Sequence, residues 1–265
     1  YWMSNWTLGI RATRQPVSTN SISPGCNSRR MMAPLEWMNA LDFTFTGAGT
    51  VGAVGMANNI MGAGVTVVSA TYQGGATQSG TFTSGSGVTF GNNVLGFTSG
   101  TLLSTGESAA GVAGPNSSGG FGSDAVGGVD GDAALNAMAG NPTFDAAILN
   151  ISFIPDVPPG GNVGDVGRMT LEIVFGSDEY LEYVGQMNDV MEVTINGQVV
   201  SLVPNASGGE STIGIDSVNT TQNPSLFINN TGATYNTQMD SFTVTIPMTF
   251  DVIVGQTNTC LLYHI

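Results

Sequence analysis

The sequence contains no lysine and has little positive charge of any kind. Its arginines are Arg11, Arg14, Arg29, Arg30 and Arg168, set against 19 acidic residues, and the formal net charge is -14. Nucleic acids and anionic lipid surfaces bind clustered lysine and arginine side chains, which neutralise phosphates and release counterions. The charge balance therefore excludes nucleic acid and anionic lipid as partners and favours small cations.

Residues that commonly carry catalysis are also scarce. The single histidine is His264, and no serine has glycine both two residues before and two residues after it, so a histidine-based triad is excluded. A carboxylate pair could run glycoside hydrolysis, but with 19 acids some pair is inevitable. We therefore expect no enzyme, no catalytic residue and no organic cofactor.

Cysteine and long apolar runs are nearly absent. Cys26 and Cys260 could pair, but two cysteines are too few for a disulfide framework, and we interpret them as unrelated thiols. The sequence has no run of 18 apolar residues, so we expect no direct membrane insertion. Residues 1–10 lack the basic lead and apolar core of a signal peptide, so we expect any targeting segment to lie outside this sequence.

Glycine, threonine, serine and asparagine dominate what is present, with 38 glycines and 9% charged residues, which is typical of strands and turns. Period-2 alternation is clearest at Leu149, Ile151 and Phe153, at Met169, Leu171, Ile173 and Phe175, and at Met191, Val193 and Ile195. About ten such strands predict an all-β, antiparallel β-sandwich that is jelly-roll-like. Helical spacing predicts one or two short helices, at residues 51–61 and 132–139.

Domain organisation follows from a change in composition and periodicity near residue 41. Residues 1–40 hold four of the five arginines and show neither helical nor strand periodicity, so we expect a poorly ordered or non-native segment there. Residues 41–265 form the predicted sandwich domain. Within it, Asn196-Gly197 predicts a type I′ hairpin turn, and Asp132 is expected to cap the second helix.

A glycine motif in this domain resembles a dinucleotide-binding fingerprint. Gly47, Gly49 and Gly52 spell G-x-G-x-x-G after a predicted strand, but no acid occurs between Asp42 and Glu107 to hold a ribose. With glycine this abundant, we interpret the motif as chance.

The most informative chemical feature is the acid-rich segment 175–189, FGSDEYLEYVGQMND. It places Asp178, Glu179, Glu182 and Asp189 on one short connection between two predicted strands. Such carboxylates repel one another unless a cation relieves them, and Ca²⁺ accepts flexible cages of carboxylate, carbonyl and amide oxygens. One alternative is a calcium site built from these four residues, and the other is a solvated acidic loop. The segment has no known calcium-loop spacing, and this favours the solvated loop.

Several segments resemble the choice-of-anchor L family of bacterial exported domains. The resemblance covers residues 52–258 and is strongest in residues 169–204, MTLEIVFGSDEYLEYVGQMNDVMEVTINGQVVSLVP, with further matches in residues 55–83 and 131–155. It implies a secreted or surface-displayed domain associated with varied C-terminal anchors, and it implies no reaction and no established ligand. Family members usually continue with a strand beginning near Tyr-His-Ile, so we expect domain 41–265 to lack its final strand and any anchor. The preceding TNTCLL departs from the family pattern.

Three hypotheses for function follow. The first is a non-catalytic extracellular or cell-surface domain for adhesion, which binds a glycan, another extracellular ligand or a neighbouring surface protein through its acid-rich loops. The second is a structural subunit of an extracellular matrix or filament that self-assembles by strand addition at an open sheet edge. The third, with the least support in the sequence, is a carboxylate-based hydrolase.

Overall fold

The computed structural model describes residues 6–13, 43–84, 99–107, 116–117, 128–130, 132–140, 142–235 and 237–264. These residues form fifteen strands and two α-helices. The helices are α1 (Ala48–Met61) and α2 (Ala133–Ala139). The strands are β1 (Trp6–Thr13), β2 (Phe43–Gly47), β3 (Val65–Gln73), β4 (Gly80–Ser84), β5 (Ser99–Leu103), β6 (Ala147–Pro155), β7 (Val166–Ser177), β8 (Val190–Ile195), β9 (Gln198–Val199), β10 (Leu202–Pro204), β11 (Glu210–Gly214), β12 (Phe227–Asn229), β13 (Ser241–Thr243), β14 (Ile246–Ile253) and β15 (Asn258–His264).

The strands form two sheets, and every pairing between described strands is antiparallel. The first sheet has 8 strands in the order β12-β13-β7-β1-β5-β4-β2, and β14 pairs with the first part of β7. The second has 7 strands in the order β10-β11-β8-β15-β6-β3, with β9 paired to β8. This arrangement confirms the predicted all-β, sandwich-like fold.

One hydrophobic core is shared by the two sheets. The predicted inward sets of β6, β7 and β8 are buried and belong to a single cluster with the inward residues of β14 and β15. Successive side chains point to opposite faces of a sheet, so alternate residues of each strand supply the core. The period-2 prediction is therefore confirmed for the strands that hold the sandwich together.

The predicted helices also form. Helix α1 begins three residues before the predicted start, is kinked at Gly52, where φ is 68°, and buries Met56 and Ile60. Asp132 caps α2, accepting hydrogen bonds from the backbone N–H groups of Ala134 at 2.9 Å and Leu135 at 3.1 Å. Strand β2, which precedes α1, pairs antiparallel with β4, so the glycine motif does not lie in a parallel nucleotide-binding unit.

Three segments differ from expectation. Residues 6–13 form β1 and pair with β5 and β7, while the rest of segment 1–40 lies outside the described residues. After the Asn196-Gly197 turn, the second arm of the predicted hairpin is divided into β9 and β10. Residues 258–264, which include most of the TNTCLL segment, form the central strand β15, paired with both β6 and β8.

Cys260 lies on β15 and is fully buried as a free thiol. Burial raises the pKa of this thiol to about 12, because the thiolate would lose its hydration. Cys26 lies outside the described residues. Within the part of the chain that the structure describes, no helix combines the length and the hydropathy that a membrane span requires.

Candidate functional site

The acid-rich connection lies at one end of the sandwich, between the end of β7 and the start of β8. Two further connections meet it there because their strands neighbour β7 and β8. Strand β13 pairs Ser241 with Ser177 and brings residues 230–240, and β11 pairs Gly214 with Val190 and brings residues 215–223. We call this region the acidic end, and its carboxylates are Asp178, Glu179, Glu182, Asp189, Asp216 and Asp240.

Two of the four predicted ligands are buried. Asp178 is 3% exposed and Glu179 is 6% exposed, whereas Asp189 is half-buried and Glu182 is exposed. Water cannot screen the charge of a buried carboxylate, so such groups need a partner, a cation or a proton. The alternative of a solvated acidic loop is therefore wrong for Asp178 and Glu179 and describes Glu182.

Asp178 lies opposite Asp240. Ser177 pairs with Ser241, and the next residue outward on each strand is one of these aspartates. Asp240 is 1% exposed, and its Oδ1 accepts a hydrogen bond from Nδ2 of Asn116 at 2.6 Å. Both carboxylate oxygens of Asp178 and the Oδ2 atom of Asp240 are buried, and the described residues supply no hydrogen-bond partner to any of the three.

The pKa values of this pair are raised in the direction that burial demands. Burial first, and then the charge of Asp240, raises the pKa of Asp178 to about 9. The backbone N–H of Asp240 offsets part of this shift but makes no hydrogen bond of normal geometry to Asp178. Burial also raises the pKa of Asp240 to about 6, against the lowering effect of the Asn116 hydrogen bond.

A second group of carboxylates contains Glu179, Asp189 and Asp216. Burial raises the pKa of Asp189 well above its ordinary value, and the charge of Glu179, a hydrogen bond with Glu179 and the charge of Asp216 add to the effect. Two carboxyl groups can share a hydrogen bond only when one is protonated, so this arrangement favours the protonated form of Asp189. Asp216 is held by the backbone N–H of Gly185, which donates to its Oδ1 at 2.6 Å.

Tyr180 packs beside the second group. Its side chain is fully buried and contacts Phe227 and Phe175 edge to face, with ring centroids 5.1 Å and 6.4 Å away. Its hydroxyl is buried and has no hydrogen-bond partner among the described residues. Burial raises the pKa of this phenol well above its ordinary value, and the charges of Asp189 and Asp216 raise it further.

The structure thus places three of the four predicted ligands in two groups, which lie close enough for the charge of Glu179 to act on Asp178. Asp178 belongs with Asp240, Glu179 belongs with Asp189, and the charge of the exposed Glu182 acts on Asp240. Among the described residues, no three His, Cys, Asp or Glu side chains are arranged to hold a metal ion together. The calcium prediction for Asp178, Glu179, Glu182 and Asp189 stays a prediction.

Sequence reasoning missed Asp216 and Asp240. Both lie far along the chain from the acid-rich segment, and only the pairing of β13 with β7 and of β11 with β8 brings them to it. The one local signal was their position, since Asp240 directly precedes a strand and Asp216 follows one closely.

A polar cleft of about 310 Å³ opens beside the second group. Pro204 and Ala206 contribute to its wall, and its polar lining consists of Asn205, Ser207, Ser211, Asp216, Ser217 and Gln222. Hydroxyl and amide groups with one carboxylate can exchange hydrogen bonds with a polar ligand. Asp216 is shared by the cleft and the buried carboxylates.

His264, the only histidine, is not placed for acid–base catalysis in this region. It is fully buried on β15, packs against Phe175 with ring centroids 5.9 Å apart, and has a pKa lowered to about 3 by burial. A neutral, enclosed imidazole contributes to the packing of the core. The groups of the acidic end can bind cations, hold protons and accept hydrogen bonds.

Comparison with known proteins yields a family assignment. A sequence model described as the choice-of-anchor L domain matches residues 48–265, which cover α1, α2 and all strands from β3 onward. No curated protein and no solved structure matches the chain. Because the match covers most of the sequence, this protein belongs to the choice-of-anchor L domain family.

Proposed function

We propose that this chain is a non-catalytic extracellular or cell-surface domain that binds a polar ligand at its acidic end. Membership of the choice-of-anchor L family suggests an exported or surface domain, and the family is a non-enzymatic, anchor-type one. The observation that carries the proposal is the polar cleft beside Asp216, formed by connections on a rigid sandwich. Loops held by a rigid scaffold are where recognition residues concentrate.

The polar groups of the cleft limit the classes of ligand that it can bind. Its hydroxyl and amide groups suit a glycan or a polar segment of a neighbouring surface protein, which exchange hydrogen bonds with such groups. The formal net charge of -14 disfavours nucleic acid and other polyanions. The surface therefore fits neutral or cationic partners in adhesion.

A glycan array probed with the 265-residue chain tests this proposal, with a cleft-blocking variant as the decisive comparison. Ser207 is exposed and lines the cleft, so Ser207→Trp fills it without removing a side-chain hydrogen bond described for that residue. Val163→Trp is the matched control, because Val163 is 65% exposed and lies at the opposite end of the sandwich. We expect glycan binding that falls at least tenfold in Ser207→Trp and is kept in Val163→Trp. Absence of binding, or equal binding by both variants, counts against the proposal.

A second function, assembly by strand addition, is favoured by the edge strand β3. Among the described strands β3 pairs with β6 alone, and its nine residues contain no charge and no proline. Of the other edge strands, β10 and β12 have three residues each, β2 has five, and β14 carries Pro247 and Asp251. Long uncharged edges accept strands from other chains, and β3 is interrupted by one bulge at Val68.

The occupant of this edge would be a second copy of the chain. Sedimentation across a range of concentrations should reveal multimers that disappear in Val68→Lys, because charge on an edge strand opposes pairing. Val54→Lys serves as control, since Val54 is similarly exposed, at 49% against 54% for Val68, but lies on α1. A monomer at every concentration removes the assembly function.

A further inference from the structure

The starting observation is a pair of buried aspartates that face each other across neighbouring strands. Asp178 and Asp240 are 3% and 1% exposed, and the register of β7 with β13 places them opposite one another. Three of their four carboxylate oxygens are buried without a hydrogen-bond partner among the described residues. Like charges directly opposite on a sheet destabilise it, and unpaired buried oxygens add a desolvation cost.

No arginine or lysine is available to neutralise this pair within the described part of the chain. Arg168 is the only such residue whose side chain is described, and it pairs with Asp251 at 3.2 Å near the start of β7, while Asp178 follows the end of that strand. The amide of Asn116 donates to Asp240 and leaves the Oδ2 atom of Asp240 and both oxygens of Asp178 unbonded. The described residues therefore leave this pair to a proton or a bound cation.

We propose that Asp178 and Asp240 form a divalent-cation site that binds Ca²⁺. Two carboxylates match the charge of a divalent ion, and Ca²⁺ completes its six to eight oxygen ligands with carbonyls and water in flexible geometry. Transition metals favour imidazole and thiolate ligands, which neither member of the pair supplies. Backbone carbonyls and water would complete the coordination, because no group of three His, Cys, Asp or Glu side chains among the described residues is arranged to hold a metal ion.

The surroundings of the pair support this role. Asn116 donates to the Oδ1 atom of Asp240 at 2.6 Å and to the backbone carbonyl of Asn230 at 3.3 Å, so it holds Asp240 in place as a positioning residue. Glu182 is exposed and its charge acts on Asp240, which adds negative potential at the surface and attracts cations. The site keeps Asp178 from the sequence prediction and adds Asp240, while Glu179 and Asp189 lie in the other group.

This inference deepens the proposed function, because a bound Ca²⁺ ion would fix the connections that form the acidic end. It rests on the proposed function only in that both sites lie at this end of the sandwich. Metal binding and ligand recognition are separable by experiment. A Ca²⁺ response without any glycan signal supports the cation site and defeats the binding function. If the protein shows no Ca²⁺ response and binds glycan equally well with and without chelator, the binding function is supported and the cation site is defeated.

The test uses the 265-residue chain freed of metal with chelator, titrated with CaCl₂ by calorimetry and melted with and without about 5 mM Ca²⁺, which exceeds the ~0.1–1 mM dissociation constants of extracellular calcium modules. We expect a binding isotherm near one ion per chain and a melting temperature raised by several degrees, because a ligand of the native state stabilises by mass action. Wild-type protein with no heat of binding and an unchanged midpoint overturns the proposal.

Variants locate the site. Asp240→Asn removes one charge, so in chelator it should melt at or above the wild-type temperature, and it should lose the Ca²⁺ response. Asp156→Asn is the matched control, because Asp156 is exposed and follows β6 at the opposite end of the sandwich, and it should keep the full response. A response lost in Glu179→Gln and kept in Asp240→Asn would overturn the proposal in favour of the second carboxylate group.

Discussion

At the scale of single residues, the acidic end combines side chains that are costly to bury. Tyr180 shows this clearly, because its ring is fully buried against Phe175 and Phe227 while its hydroxyl has no hydrogen-bond partner among the described residues. The ring contributes apolar burial and edge-to-face contacts, and the hydroxyl contributes a desolvation cost. The two effects can be separated by substitution.

Tyr180→Phe and Tyr180→Ala should therefore have opposite consequences. We expect Tyr180→Phe to leave the free energy of unfolding unchanged or raise it by about 1 kcal/mol, since it removes an unpaired buried hydroxyl. Tyr180→Ala should lower it by about 3–5 kcal/mol through loss of the ring and the resulting cavity. Urea unfolding of the three proteins measures both. A loss above about 1 kcal/mol in Tyr180→Phe would mean that the hydroxyl has a partner.

His264 gives the pH prediction at this scale. Burial lowers the pKa of His264 from 6.5 to about 3, and its register neighbours Ala147 and Met191 and the ring of Phe175 carry no titratable group. The unfolded chain then binds a proton below pH 6.5 that the native chain does not, so this contribution to stability is lost as the pH falls from about 6.5 towards 3.

We expect His264→Leu to remove this dependence. Between about pH 6 and pH 4 the stability of the wild type relative to the variant should fall by about 1.4 kcal/mol per pH unit, as for one proton. The buried carboxyl groups contribute a slope of opposite sign, which is common to both proteins and cancels in the difference. Chemical unfolding at a series of pH values provides the measurement, and parallel curves would contradict the assignment.

At the scale of elements, the sequence predicted those turns and caps whose conformation depends on one or two neighbouring residues. The Asn196-Gly197 turn is an example, since both residues have positive φ, 49° and 79°, as a type I′ turn requires. A Cβ at Gly197 would meet no atom within 4 Å, so any cost of adding a side chain comes from the backbone conformation alone. This isolates the contribution of the turn.

Gly197→Ala should lower the free energy of unfolding by about 1–2 kcal/mol, because an L-residue disfavours the left-handed region. Gly232→Ala is the matched control, because a Cβ there would make only an ordinary contact with Thr234 Oγ1 at 4.0 Å and Gly232 has no positive φ, and it should change stability by less than about 0.5 kcal/mol. Thermal melts of both variants give the comparison. Equal effects would show that the turn conformation is not the source of the cost.

Strand β15 shows why some elements could not be predicted. Its inward residues are Asn258, Cys260, Leu262 and His264, so polar residues at both ends conceal the apolar alternation. The structure satisfies Asn258 locally, with its Oδ1 accepting from the N–H of Ile253 at 2.9 Å and its Nδ2 donating to the carbonyl of Ile253 at 2.8 Å. Such compensation depends on tertiary contacts that period-2 analysis does not include.

At the scale of the whole molecule, the candidate site was predictable only in part. The acid-rich segment and its place between two strands followed from the sequence, whereas the pairing of Asp178 with Asp240 required the strand order of the first sheet. That order places β13 beside the end of β7, and no local pattern encodes it. The neighbouring Glu179 shares a hydrogen bond with Asp189 instead, and its charge still acts on Asp178.

Net charge gives the last prediction, since self-repulsion acts on the molecule as a whole. With a formal charge of -14 and Arg168–Asp251 the one ion pair among the described residues, the native state should be destabilised by repulsion that salt screens. Raising NaCl from about 0.01 M to 0.5 M shortens the screening length from roughly 30 Å to under 10 Å and should raise the melting temperature in the presence of chelator. Choline chloride should have the same effect as NaCl, because screening depends on ionic strength and not on the identity of the cation. A rise seen with NaCl but absent with choline chloride would instead indicate a specific Na⁺ site, and a fall in both salts would show that net attraction between charges stabilises the fold.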